Sequence, residues 1–231
     1  MSPEIAEFLT KVAIIAPGMI VAITLHEAAH GFVAWKLGDD TAYQLGRVTF
    51  NPFRHIDPMG TIILPALLYF TTGFMFGYAK PVPVNYRRLR NPRRDMVLVA
   101  AAGPGSNVLI ALASAVALHL VPISREFVPI LISSILISSV FFNVMLGVFN
   151  MIPLPPLDGG RVAVGLLPYP LAVRLARLER AGMIILLIAL IGLPFIGQQI
   201  GMDLNIFGWI IMPIVDYVQG LIYLVTGNGG A

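Results

Sequence analysis

Long apolar runs divide the chain, separated by short polar clusters rich in glycine, proline and arginine. The first run, residues 12–35, would measure roughly 36 Å as a helix at about 1.5 Å per residue, enough to cross a bilayer with some tilt. The helix that contains it is predicted over about residues 6–37. A shorter run at 59–76 is broken by Gly60, Pro65 and Gly73. Further spans are predicted at 96–121, 127–151, 181–196 and 205–225, with an arginine-bearing amphipathic segment at 174–180 lying along the surface. Two stretches follow a different period. Residues 43–50 alternate enough to suggest a short strand, and residues 79–85, with Pro81, Val82, Pro83 and Val84, read as an extended edge segment.

Composition agrees with this pattern. Of the 231 residues, 57% are hydrophobic and 12% charged, and the mean hydropathy is +0.84. The fold class expected is an all-α polytopic membrane protein with about five full spanning helices, a re-entrant element and short membrane-associated β-strand segments. One integral membrane domain covers 1–231, with a core at about 6–167 and C-terminal helices at about 181–225. Glu4 and Glu7 stand where a signal peptide would carry basic residues, so the first helix is expected to be retained. No cysteine is present, so any metal must be held by nitrogen and oxygen.

The first apolar run carries His26, Glu27 and His30. Residues four apart share a helix face, so the two imidazoles can meet one ion with Glu27 beside it, the arrangement of a zinc site with an attached general base. Ionisable groups at that depth are expensive unless functional. His30 falls on the order of 8 Å below the C-terminal membrane face. His55, among Arg54, Asp57 and Pro58, reads as an ordinary polar loop residue.

Charge sets the topology. If residues 59–76 dip into the membrane and return to the same side, all but Lys11 and Arg125 of the 15 lysines and arginines lie on the cytoplasmic face. The arginines at 87–94 then form a juxtamembrane belt, and the formal charge of +3 calls for no nucleic acid. Parity puts the N-terminus outside and the C-terminus inside. It also brings Asp158, in the proline-glycine bend after the third full span, to the side and depth of His30. A catalytic zinc wants three protein ligands and an open position. Asp158 is the third.

Three segments together resemble the site-2 proteases, intramembrane zinc metalloproteases: residues 26–30 (His-Glu-Ala-Ala-His), 102–107 (Ala-Gly-Pro-Gly-Ser-Asn) and 150–160 (Asn-Met-Ile-Pro-Leu-Pro-Pro-Leu-Asp-Gly-Gly). The resemblance covers about residues 6–167. It implies that His26, His30 and Asp158 ligate one Zn2+ per chain, that Glu27 is general base and acid, and that Asn150 binds the scissile peptide, although a helix cap is the plainer role for that amide. Gly103 and Asn107 are expected to serve helix packing near the site. Residues 81–84 could add a substrate as an extra strand. The implied partners are single-span membrane-protein substrates and the lipid bilayer, and a homo-oligomer is compatible with it. The implied location is the prokaryotic cell membrane. No room remains for a peptide-binding domain of the PDZ type or a nucleotide-sensing domain, as in the compact subgroup. The alternative is a zinc-binding membrane adaptor of the same fold that cleaves nothing.

Overall fold

The computed structural model describes residues 2–63 and 80–229. Helix α1 (Pro3–Lys36) opens on Ser2, whose hydroxyl accepts from the Ile5 N–H, with Pro3 in the first turn where its missing N–H costs nothing. A four-residue turn, α2 (Thr41–Gln44), follows. α3 (Pro92–Ala117) begins at Asn91, whose N–H donates to Asp95 Oδ2 at 2.8 Å. Then come α4 (Phe127–Asn150), α5 (Asp158–Leu166), α6 (Tyr169–Arg177), α7 (Glu179–Leu187), α8 (Leu193–Ile200) and α9 (Met212–Val225). Among the described residues, five stretches are long and apolar enough to cross a membrane: Ile5–Lys36, Pro92–Leu120, Phe127–Asn150, Glu179–Ile200 and Phe207–Val225.

α1, α3 and α4 pack against one another and form the centre of the protein. Ala111 and Ala115 of α3, Val140 and Val144 of α4, and Val215 and Ile222 of α9 make a closed apolar cluster. Small residues let these backbones approach where no hydrophobic effect drives helices together. Exposed Leu109, Phe127 and Ile184 face outward, as lipid demands.

The strand expected at 43–50 does not form. Thr41–Gln44 is helical, Gly46 takes a positive φ of 64°, and the Arg47 side chain turns inward to a buried position, so the alternation there reflects turns. Among the described residues there is no strand: 80–85 is extended but pairs with no neighbouring strand. The run at 59–76 lies largely outside the described residues. Its described start, Pro58–Ile63, is a wide helical turn. The flanks do meet, since the Lys80 N–H donates to the His55 carbonyl at 2.9 Å, and the Arg90 N–H reaches the Leu37 carbonyl at 3.1 Å.

The end of the chain departs from parity. Phe207 lies against Phe149, their ring centroids 6.4 Å apart, so α9 starts near the C-terminal end of α4. It finishes beside the C-terminal end of α3, where His119 Nε2 donates to the Thr226 carbonyl at 2.7 Å and Asn228 Nδ2 to the Ala115 carbonyl at 2.9 Å. The end of α9 therefore lies at the end of the bundle away from residues 150–158, where counting spans had put it beside them. The physical reason is that no lysine or arginine follows Arg180, so the charge bias says nothing about this half. Packing of Val215 and Ile222 sets its direction.

Candidate metal centre

His26 and His30 occupy one face of α1, directed at α3 and at the turn that precedes α5. Each ring is held through Nδ1. His30 Nδ1 lies 2.7 Å from the Val99 carbonyl, which can only accept, so this nitrogen carries the proton. His26 Nδ1 lies 2.6 Å from Asn107 Oδ1. The Asn107 amide nitrogen donates to the Ala22 carbonyl at 3.2 Å and to Asn143 Oδ1 at 2.9 Å, which fixes its oxygen toward the imidazole. With Nδ1 so engaged in both rings, the two Nε2 atoms turn toward the same point.

Asp158 completes the point. It is the first residue of α5, and the chain folds so tightly there that a Cβ on Gly159 would sit 2.2 Å from the Met151 carbonyl oxygen. Glycine is the only residue that admits this approach. Asp158 Oδ2 lies 3.1 Å from His26 Nε2 and 3.2 Å from His30 Nε2, and the two Nε2 atoms are 3.1 Å apart. The carboxylate oxygen is buried and receives no hydrogen bond.

Three lone-pair atoms at the corners of a near-equilateral triangle, with both Nδ1 protons committed elsewhere, repel one another unless a cation sits among them. Ligands about 2.0–2.1 Å from a tetrahedral zinc are separated by about 3.3 Å. The observed spacings are close to that. The donor set, two imidazoles and one carboxylate, is the kind that leaves a tetrahedral metal one open position. Gly103 of α3 keeps the space clear, because a Cβ there would lie 2.5 Å from His30 Nε2 and 2.6 Å from His26 Nε2.

Glu27 lies beside the triangle, and its Oε2 accepts from the Val82 N–H at 2.7 Å. The extended segment therefore reaches the carboxylate by its main chain. Pro81 and Pro83 flank that N–H and have none of their own. Asn150 is half-buried, and its Nδ2 donates back to the Leu146 carbonyl one turn earlier in its own helix at 2.9 Å. His55 is almost fully buried, its Nε2 donating to the Thr49 carbonyl at 3.1 Å and its Nδ1 left without a partner. It is separate from the triangle, as expected, but it is no surface residue.

Sequence reasoning treated Asn107 as packing. In the structure it orients a ring and starts a buried polar chain through Asn143, Ser139 and Ser114. A clue lay in the sequence: asparagines and serines on spanning helices need partners. Away from this centre, an apolar cavity of about 740 Å³ lies between α3, α4, α7 and α9. Its lining, with Val108, Val144, Leu186 and Ile210, carries no titratable group.

Fold and site together define a multi-pass helical membrane protein with a buried two-histidine, one-carboxylate metal centre. Residues 122–193 match the model of peptidase family M50. A Bacillus subtilis protein with the provisional name zinc metalloprotease YwhC is 39% identical over 177 residues, 74% of this chain and 76% of its own. Proteins provisionally named zinc metalloprotease Rip2 are 34% identical over 146 residues in Mycobacterium tuberculosis strain Erdman and 29% identical over 151 residues in Mycolicibacterium smegmatis. These matches cover 62% and 63% of the chain, which spans only 52% and 54% of those relatives. No solved structure matches. The chain belongs to peptidase family M50, the site-2 protease family.

Proposed function

We propose that this protein is an intramembrane zinc endopeptidase that hydrolyses peptide bonds in the membrane-embedded segments of single-span proteins. The observation that carries the reading is the triangle of His26 Nε2, His30 Nε2 and Asp158 Oδ2, closed to 3.1–3.2 Å. The relatives' zinc metalloprotease names support the choice of metal.

When bound, the zinc supplies a Lewis acid and acidifies water. The chain's residues do the rest. The Nδ1 bonds to Asn107 and Val99 hold both rings in the tautomer that offers Nε2. Glu27 takes the proton of the attacking water and returns it to the leaving amine. A helical substrate must unwind first, because its carbonyls are otherwise consumed in its own hydrogen bonds. Residues 81–84 are suited to hold it extended, since the Val82 N–H already points to the base and the segment pairs with no strand among the described residues. Asn150 would bind the substrate only by giving up its bond to Leu146.

The protein would sit in a bacterial cell membrane with its N-terminus outside and cleave near the cytoplasmic face, where the charge bias puts Lys36 and the arginines at 87–94.

The test is cleavage of a purified single-span substrate in detergent or vesicles by the wild type and by Glu27→Gln, with zinc measured in both. Cleavage lost in the variant at unchanged zinc is expected. Equal cleavage in both would overturn the mechanism, and zinc bound without cleavage in either would favour an adaptor.

A further inference from the structure

Residues 80–85 are held at three places by side chains and loops outside the metal triangle, and the tie at Lys80 is made by a buried cation. Arg47 is 8% exposed, and its Nη2 donates to the Lys80 carbonyl at 2.7 Å. The other side of the same residue is fixed as well, the Lys80 N–H donating to the His55 carbonyl at 2.9 Å. Two residues on, the Val82 N–H meets Glu27. At the far end the Asn85 N–H donates at 2.6 Å to Asp39 Oδ2, a fully buried carboxylate whose other oxygen accepts from the Thr41 N–H at 3.1 Å. In extended chain the step from residue 80 to 82 is only about 6.6 Å, and Pro81 between them has a fixed φ, so a shift of Lys80 is passed to the Val82 N–H.

A plain structural tie to one carbonyl would ask only for a neutral donor. Here the donor is a guanidinium, buried at the cost of leaving Nε without a partner among the described residues. Burial lowers the pKa of Arg47, and the charge of Glu27 acts against that shift. A buried cation whose main-chain contact ends, two residues later, on the proposed base is placed to act on that base through the segment.

We propose that Arg47 is a positioning residue for the reaction: by clamping the Lys80 carbonyl it fixes the Val82 N–H on Glu27, and with it the direction of the base and the register in which a substrate strand would lie. This rests on the endopeptidase reading. Arg47 does not touch the metal triangle, and its effect passes entirely through residues 80–82.

The experiment compares wild type, Arg47→Met, Arg47→Lys, Val82→Pro and the double variant Arg47→Met/Val82→Pro, using the same single-span substrate, with zinc stoichiometry and thermal midpoint measured for each. Arg47→Met is expected to lower kcat by about a hundredfold, the scale of a misplacement on the order of 1 Å. Zinc content and thermal midpoint should stay near wild type, and Arg47→Lys should recover part of the loss by donating to the same carbonyl. The double variant should be no slower than the slower single one, because both substitutions break one path. Unchanged cleavage in Arg47→Met would overturn the proposal. So would losses that multiply in the double variant, or loss of zinc or fold along with activity, which would make Arg47 a folding residue. A wild type that does not cleave, or a Glu27→Gln variant as active as wild type, would instead remove the endopeptidase reading on which it stands.

Discussion

His26 Nδ1 and Asn107 Oδ1 lie 2.6 Å apart in a buried site, joining the first spanning helix to the second and deciding which imidazole nitrogen is left for a metal. Asn107 is itself fully buried and held by Ala22 and Asn143, so it cannot rotate to present its amide nitrogen instead. Asn107→Ala should therefore free the His26 ring to adopt the other tautomer. Zinc affinity is expected to fall by about 10–100-fold, the usual effect of losing such a partner, as read by competition with a chromophoric chelator. Unchanged affinity would mean that the α1 backbone alone orients the ring.

Gly103→Ala is a harsher change made with one methyl group. The added carbon would lie 2.5 Å from His30 Nε2, inside contact distance of a ligand atom that packing holds in place. Helix content should be kept, since alanine favours a helix over glycine by about 1 kcal/mol. Zinc stoichiometry should fall toward zero. A variant that keeps its zinc would show that α3 can move away from α1 at this point.

His55 gives a prediction in pH. Burial lowers its pKa, while its bond to Thr49 works the other way and Arg47 adds to the lowering. The ring is thus neutral at pH 7. Protonation is harder folded than unfolded, so the unfolded chain binds the extra proton first, starting near the ordinary value of about 6.5. Stability is full above that value and is lost as pH falls through the window beneath it. In saturating zinc, the wild-type thermal midpoint should drop more steeply between pH 7 and 5 than that of His55→Gln, which has no ring to titrate. Parallel curves would mean that the His55 ring takes up its proton equally well in the folded and the unfolded chain.

The direction of α9 can be tested because the chain has no cysteine of its own. Single cysteines at Leu120 and Asn228 should react with an impermeant thiol reagent from one side of sealed vesicles. Cysteines at Lys36 and Arg161 should react only from the other. The spatial basis is the bond from His119 to Thr226 at one end and the approach of Phe207 to Phe149 at the other. Labelling of Asn228→Cys together with Lys36→Cys would restore the parity expected from hydropathy.

Much of this protein is written in local pattern. The spanning helices follow from uninterrupted apolar length, and the pairing of His26 with His30 from a four-residue spacing on one helix, which needs no tertiary information. Asp158 is legible because the proline-glycine bend that holds it returns to the side and depth of His30. The strand expected at 43–50 fails because alternation over so few residues is also what a helical turn followed by an inward-pointing arginine produces.

The sequence by itself determined a membrane-embedded helical protein, the face carrying His26 and His30, and the need for a third ligand from a distant bend. Only the tertiary structure decided what those groups can do. The Nδ1 partners of the two rings lie 81 and 69 residues away, the Val82 N–H on Glu27 lies 55 residues away, and Arg47 reaches Lys80 across 33 residues. Contacts at such separations depend on how helices cross and where loops return. The direction of α9 belongs with them, because apolar length fixes that a helix can cross and leaves the end at which it begins to side-chain packing.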